Sequence, residues 1–140
     1  MAPLTAPTTL TQQVGDTAPL QYFDLPIKAA TTIYGGSLVV ADAGYAAPGR
    51  TATGLIAVGR AEETVANPGA AGATRIRVRR GAFAFNNSAS ADAIAQANFG
   101  ATVYIVDDNT VALTNGTNTR SAAGKFVGFN DAGRPVVEIY

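Results

Sequence analysis

Along this chain apolar residues alternate with polar ones over short runs, and clusters of Gly, Pro, Asn and Asp separate the runs. A period of two sends successive side chains to opposite faces of an extended strand. Runs rich in β-branched and aromatic residues, spaced roughly 8–12 residues apart, are the pattern of a sandwich or barrel. Strands are therefore expected near Gln21–Ala29, Ser37–Ala41, Gly54–Ala61, Thr74–Phe85, Thr102–Val106, Thr110–Leu113, Lys125–Phe129 and Pro135–Ile139. Gly35-Gly36, Pro48-Gly49, Asn67-Pro68-Gly69 and Asn115-Gly116 supply the positive or preset φ that tight reversals need.

Two segments break the period. Ser90–Gly100 begins with a residue suited to an N-cap, carries Asp92 in its first turn and ends on a glycine suited to C′, which predicts one or two helical turns. Such a helix would lay Ile94 and Phe99 over an open end of the barrel. Met1–Pro19 is rich in Thr, Pro and Gln, and Pro3, Pro7 and Pro19 argue against a helix or a central strand. The chain is thus divided into an extended N-terminal arm, residues 1–20, and a β-domain, residues 21–140. Leu4, Leu10, Val14 and Leu20 give the arm enough apolar contacts to order on a partner.

Composition narrows the function classes. A chain of 140 residues normally forms one domain, and at this size it buries roughly 68–70% of its unfolded surface. Ten Lys plus Arg balance ten Asp plus Glu, so net charge points away from nucleic acid and anionic membranes and toward a polar protein surface. Without His or Cys the usual zinc sites, Ser-His and Cys-His nucleophile pairs and histidine bases are excluded. Absence of disulfides suits folding in a reducing cytoplasm. Neither a secretory leader nor a membrane span of roughly 20 apolar residues is expected. Two sequons, Asn86-Asn87-Ser88 and Asn115-Gly116-Thr117, read as turn residues.

Three constellations carry possible chemistry. Asp16-Thr17-Ala18 echoes the loop of an aspartic protease, yet its third residue is Ala, no second copy exists, and it sits in the Pro-rich arm. Asp107-Asp108-Asn109 groups three oxygen-bearing side chains without the alternating ligand positions and bidentate Glu of a calcium loop, so a hairpin turn is expected and no metal or other cofactor. Arg75-Ile76-Arg77-Val78-Arg79-Arg80 is the dense charge cluster of the chain. As a strand it sends Arg75, Arg77 and Arg79 to one face and Ile76 and Val78 to the core, beside Phe83 and Phe85 pointing inward. Arginine forks on such a face suit carboxylates of a neighbouring protein. Nucleic-acid binding is the weaker reading, because the chain is neutral and nearly free of Lys.

The order of segments adds a resemblance. Ile33–Val40, Gly44-Tyr45, Leu55–Gly59, Arg79–Phe83, Gly100–Val111, Ala123–Gly128 and Pro135–Ile139 together resemble the small capsid-cement, or head-decoration, proteins of tailed bacteriophages. The likeness covers about four fifths of the chain and omits roughly its first twenty residues. It implies an all-β fold, a small antiparallel barrel or sandwich of the β-tulip kind with one short helix and the arm extending from it. It implies no enzyme, but a structural protein that binds the outer surface of a phage head, with the major capsid protein and its own copies, in a homotrimer, as partners. Virion surface and, during assembly, host cytoplasm are the implied locations. The interface residues expected are Leu4, Leu10, Val14 and Leu20 in the arm and Arg75, Arg77 and Arg79 on the body. A phage tail or baseplate β-module, or a carbohydrate- or nucleic-acid-binding β-domain, is the alternative.

Overall fold

The computed structural model describes residues 22–139. The expected arm, with Leu4, Leu10, Val14, Leu20 and the Asp16 triplet, lies outside the described residues. Within them the chain is all-β, its sheets are antiparallel in the main, and no helix reaches seven residues. Three sheets form. The first joins β1 (Tyr22–Pro26), β7 (Arg75–Arg79), β5 (Ile56–Ala61), β3 (Leu38–Asp42) and β4 (Tyr45–Pro48) in that order. The second joins β8 (Gly81–Ala84), β13 (Pro135–Ile139), β12 (Ala122–Phe129), β10 (Thr102–Asp107), β11 (Thr110–Ala112) and β9 (Asn86–Asn87). A small pair consists of β2 (Thr31–Ile33) and β6 (Val65–Asn67).

Strand β3 explains why two cores coexist. Leu38, Val39 and Val40 are all fully buried, so this strand is apolar on both faces. Period two directs Leu38 and Val40 into a core shared with Phe83, Val103, Ile105, Phe126 and Val137 of the second sheet and with Phe85 just past β8. Val39 points the other way and packs with Ile27, Ile33, Ala46, Ile76 and Val78 in a second, smaller core. The five-stranded sheet curls around that smaller core. Ile27, just past β1, forms a parallel bridge to Ala46 in β4, so the two edges of the sheet meet at this point. Lys28 N donates to Ala46 O at 3.0 Å. A bulge between Val39 and Val40 sharpens the curl, and Gly59 permits it: a Cβ there would collide with the Arg79 carbonyl.

The connection from β4 to β5 binds the sheets together at one corner. Arg50 forms an antiparallel bridge to Asp107, Thr51 Oγ1 donates to Val106 O at 2.7 Å, and Leu38 N donates to Asp108 O at 2.8 Å. Ser121, itself buried, donates through Oγ to Ala52 O at 2.7 Å and accepts from Leu55 N at 3.0 Å. Backbone groups that leave one sheet are thereby satisfied by the other.

The expected alternation is largely present, with four corrections. Thr74–Phe85 is two strands, β7 and β8, placed in different sheets, because the chain crosses between layers at Arg80-Gly81. Ser90–Gly100 is no regular helix but two 3₁₀ turns, Ser90–Asp92 and Gln96–Asn98, with Ala89 and not Ser90 at the first N-cap position. Asn87 is the reason: its side chain donates to Ile94 O and accepts from Ile94 N, both at 2.9 Å, taking the backbone groups that a continuing helix would use. Ile94 is buried as expected, whereas Phe99 is 61% exposed. Pro48-Gly49 is no reversal, since Gly49 is buried and its N–H donates to Leu38 O at 2.8 Å. Strands β2, β4, β6 and β9 were not expected; each is four residues or fewer.

Asn67 ties this architecture together from within. It is 1% exposed, its Nδ2 lies within 3.1 Å of the carbonyl oxygens of Ile27, Lys28 and Ala70, and its Oδ1 accepts from Gly69 N. Replacement Asn67→Ala strands those buried carbonyls at the point where the curled sheet meets itself. The expected loss is about 2–3 kcal/mol of unfolding free energy, read as a lower urea midpoint at unchanged slope. A midpoint equal to that of the parent would show that the network contributes nothing.

Candidate functional site: a basic face on the five-stranded sheet

The alternation in β7 is as the sequence predicts. Ile76 and Val78 are fully buried, Arg75 and Arg77 are exposed and Arg79 is half-buried. Pairing with β1 then sets what stands beside each arginine. Tyr22 lies opposite Arg79 and Asp24 opposite Arg77, so both side chains share the arginine face, while Phe23 and Leu25 share the face of Val78 and Ile76. Arg60 lies opposite Arg79 on the other side, in β5.

The arginines are held by different means. Arg75 Nε reaches Asp24 Oδ2 at 3.1 Å and its Nη2 donates to Asp24 O at 2.7 Å, a forked grip on one residue. Arg77 stacks on the Tyr22 ring with its guanidinium carbon 4.1 Å from the centroid, a cation–π contact that immobilises the fork and leaves its donors unpaired with acid. Arg60 lies 4.5 Å over the Phe83 ring and 3.5 Å from Glu62. Neither Arg77, Arg79 nor Arg80 forms an ion pair among the described residues. Half of the ten basic residues thus fall between Arg60 and Arg80 in the chain, with Arg80 lining a cleft beside Phe23 and Leu25 and so standing apart from the face of Arg75, Arg77 and Arg79.

Sequence reasoning found Arg75, Arg77 and Arg79 but not Tyr22, Asp24 or Arg60, which the strand pairing brings to them. The signal was present in Tyr22-Phe23-Asp24-Leu25, a period-two run whose outer members are polar or aromatic. Phe83 and Phe85 point inward as expected, 7% and 1% exposed, so they offer no stacking platform for bases.

Asp107, Asp108 and Asn109 form the expected hairpin turn between β10 and β11. Asp107 Oδ1 accepts from Asn109 N at 2.8 Å, and Asp108 Oδ2 accepts from Ser37 Oγ at 3.2 Å. The Asp107 carboxylate closes the turn locally, and the Asp108 carboxylate reaches across to Ser37 at the corner between sheets. Among the described residues no group of three or more His, Cys, Asp or Glu is placed to hold a metal ion, and no helix is long and apolar enough to cross a membrane.

Two further carboxylates are structurally committed. Lys28 at 2.7 Å and Arg50 at 3.0 Å hold the Asp42 carboxyl below its ordinary pKa. Asp92 accepts from Thr114 Oγ1 and faces Arg120 Nη2 at 3.4 Å, which depresses its pKa in the same way, Thr114 contributing most. Comparison with known proteins returns nothing: no family model, no curated protein and no solved structure matches this chain.

The Asp92 contacts dock the 3₁₀ segment onto the loop after β11. A carboxyl whose folded pKa is depressed stabilises the protein above its unfolded value and loses that contribution as pH falls through the folded value. The window therefore lies below the ordinary 3.8. Asp92→Asn should lower the melting temperature at neutral pH and flatten its decline below that value, followed by circular dichroism. Parallel pH profiles for variant and parent would contradict the assignment.

Proposed function

We propose that this chain is a structural, non-enzymatic virion protein, a capsid decoration or cement protein that binds the outside of a phage head and stabilises its lattice. The observation that carries the reading is the basic face of β7 and β1, where the guanidinium groups of Arg77 and Arg79 form no ion pair among the described residues, although the Arg77 backbone N–H donates to Glu63 Oε2 at 3.3 Å. Arginine fixed by stacking on Tyr22 is pre-organised: less side-chain freedom is lost when its fork meets a carboxylate. The order of segments that resembles cement proteins supports the same reading, as does an all-β body lacking histidine and cysteine.

The mechanism under this reading is avidity. A homotrimer touches several copies of the major capsid protein at once, so each weak contact raises the effective concentration of the next. Arg77 and Arg79 meet carboxylates of a capsid or neighbouring subunit, and the arm, with Leu4, Leu10, Val14 and Leu20, adds apolar contacts. Arg75 plays a smaller part than the sequence suggested, since Asp24 already engages its fork.

Reversal of two charges, Arg77→Glu with Arg79→Glu, tests this directly. Ile76 and Val78 are untouched, so the circular dichroism spectrum should remain that of the parent. Binding to expanded heads, measured by cosedimentation, or assembly of the trimer, measured by sedimentation velocity, should weaken about tenfold or more, on the order of 1.4 kcal/mol. Unchanged assembly and head binding would reduce the stripe to a solvated face. Salt-sensitive binding of nucleic acid that the variant loses would replace the decoration reading altogether.

A further inference from the structure

The loop between β11 and β12 holds a strained turn around the one Asn-Gly pair of the chain, Asn115-Gly116. Gly116, Thr117 and Asn118 stand consecutively at φ of 63°, 61° and 64°. Glycine adopts that region freely, whereas a β-branched threonine rarely does, and such strain persists only where the surroundings impose it. Asn115 imposes it here. Its carbonyl accepts from the N–H groups of Thr119 at 3.0 Å and Arg120 at 3.1 Å. Its side chain is clamped as well, Oδ1 accepting from Asn118 N at 3.2 Å and Nδ2 donating to Asn118 Oδ1 at 3.0 Å.

Arg120 packs against this turn. Its Nη1 donates to Thr114 O at 3.0 Å and its Nη2 reaches Asp92 Oδ2 at 3.4 Å, while Nε is buried with no hydrogen-bond partner among the described residues. The guanidinium lies directly beside Gly116: a Cβ there would stand 3.1 Å from Nε and 3.2 Å from Cζ. The Gly116 N–H makes only a long contact, 3.4 Å to Thr114 Oγ1, a hydroxyl that itself donates to Asp92.

We infer that Asn115-Gly116 is a site of self-modification, at which the folded loop accelerates conversion of Asn115 to an aspartyl or isoaspartyl residue. Gly116 N gives up its proton to solvent and bonds to Asn115 Cγ. The Cγ–Nδ2 bond breaks, and Nδ2 departs as ammonia with a proton gained from solvent, leaving a cyclic imide. Water then opens either carbonyl of that ring, so no oxidant or cofactor takes part. Gly116 has no side chain to hinder the attack. The guanidinium beside it favours the deprotonated amide, as a nearby cation favours any anionic form. Negative charge developing on Asn115 Oδ1 meets the Asn118 N–H, which already points at that oxygen in the manner of an oxyanion hole. The product lacks the Nδ2 donor, sets a carboxylate oxygen against Asn118 Oδ1 and adds one negative charge to a chain whose charges balance, which loosens the turn that Asn115 holds together.

Peptide mass mapping of the full-length protein, held at neutral pH well below its melting temperature, reads the conversion, and chromatography separates the aspartyl and isoaspartyl products. Conversion at Asn115 should run severalfold faster in the folded chain than in the same chain unfolded in urea. Arg120→Gln should slow the folded rate severalfold. Asp92→Asn takes away the acid that faces the guanidinium but leaves the cation in place, so it should raise the rate. Mere loosening of the loop would instead move both variants in the same direction. A folded chain that converts no faster than the unfolded one would overturn the inference. Slowing in both variants, or a rate indifferent to Arg120→Gln, would overturn it as well.

Discussion

A strand that is apolar on both faces is the constraint from which this architecture follows. Leu38 and Val40 need one covering layer and Val39 needs another, so β3 cannot lie on the surface of a simple two-layer sandwich. The second sheet covers one side. On the other side no third large layer is available, and the five-stranded sheet instead curls until Ile27 meets Ala46, with β2 and β6 adding Ile33 and Val65. Burying a side chain of Val or Leu size contributes about 1.5–3 kcal/mol, so exposing either face of β3 would cost a large part of a typical domain's stability.

The curl has consequences for the surface. Because β7 and β1 lie at the end of the sheet away from β3, their outward face carries Arg75, Arg77, Arg79, Tyr22 and Asp24 where a central strand would carry core residues. Charge that is balanced over the whole chain is therefore uneven in space. Net charge argues against nucleic acid as the partner, and local charge argues for a protein surface with acidic groups. Intramolecular partners divide the labour: Asp24 engages Arg75, and Tyr22 orients Arg77 without neutralising it.

How much of this was legible in the sequence depended on the range of the interaction. Ile76 and Val78 inward with arginines outward followed from period two alone, as did the Asp107–Asn109 turn, whose Asx bond is local. Tyr22 and Asp24 beside the arginines required knowing that β1 pairs with β7, a contact about fifty residues apart in the chain, as in Arg75 with Asp24. The missed strands β2, β4, β6 and β9 are short and rich in Ala, Thr and Asn, so pairing and not propensity makes them extended. Ser90–Gly100 looked helical because its composition favours caps and turns, but Asn87, outside the segment, competes for the backbone of Ile94. Buried Asn67 read as a turn residue, and its role as a hub between Ile27, Lys28 and Ala70 exists only in three dimensions.

Electron cryomicroscopy of a phage head carrying this chain tests the central functional claim most directly. The account predicts density for the β-body on the outer capsid surface at threefold and quasi-threefold positions, with the Tyr22–Arg79 face turned toward capsid or neighbouring-copy carboxylates. Density confined to a tail or baseplate, or a body seated on the capsid with that face turned to solvent, would contradict it.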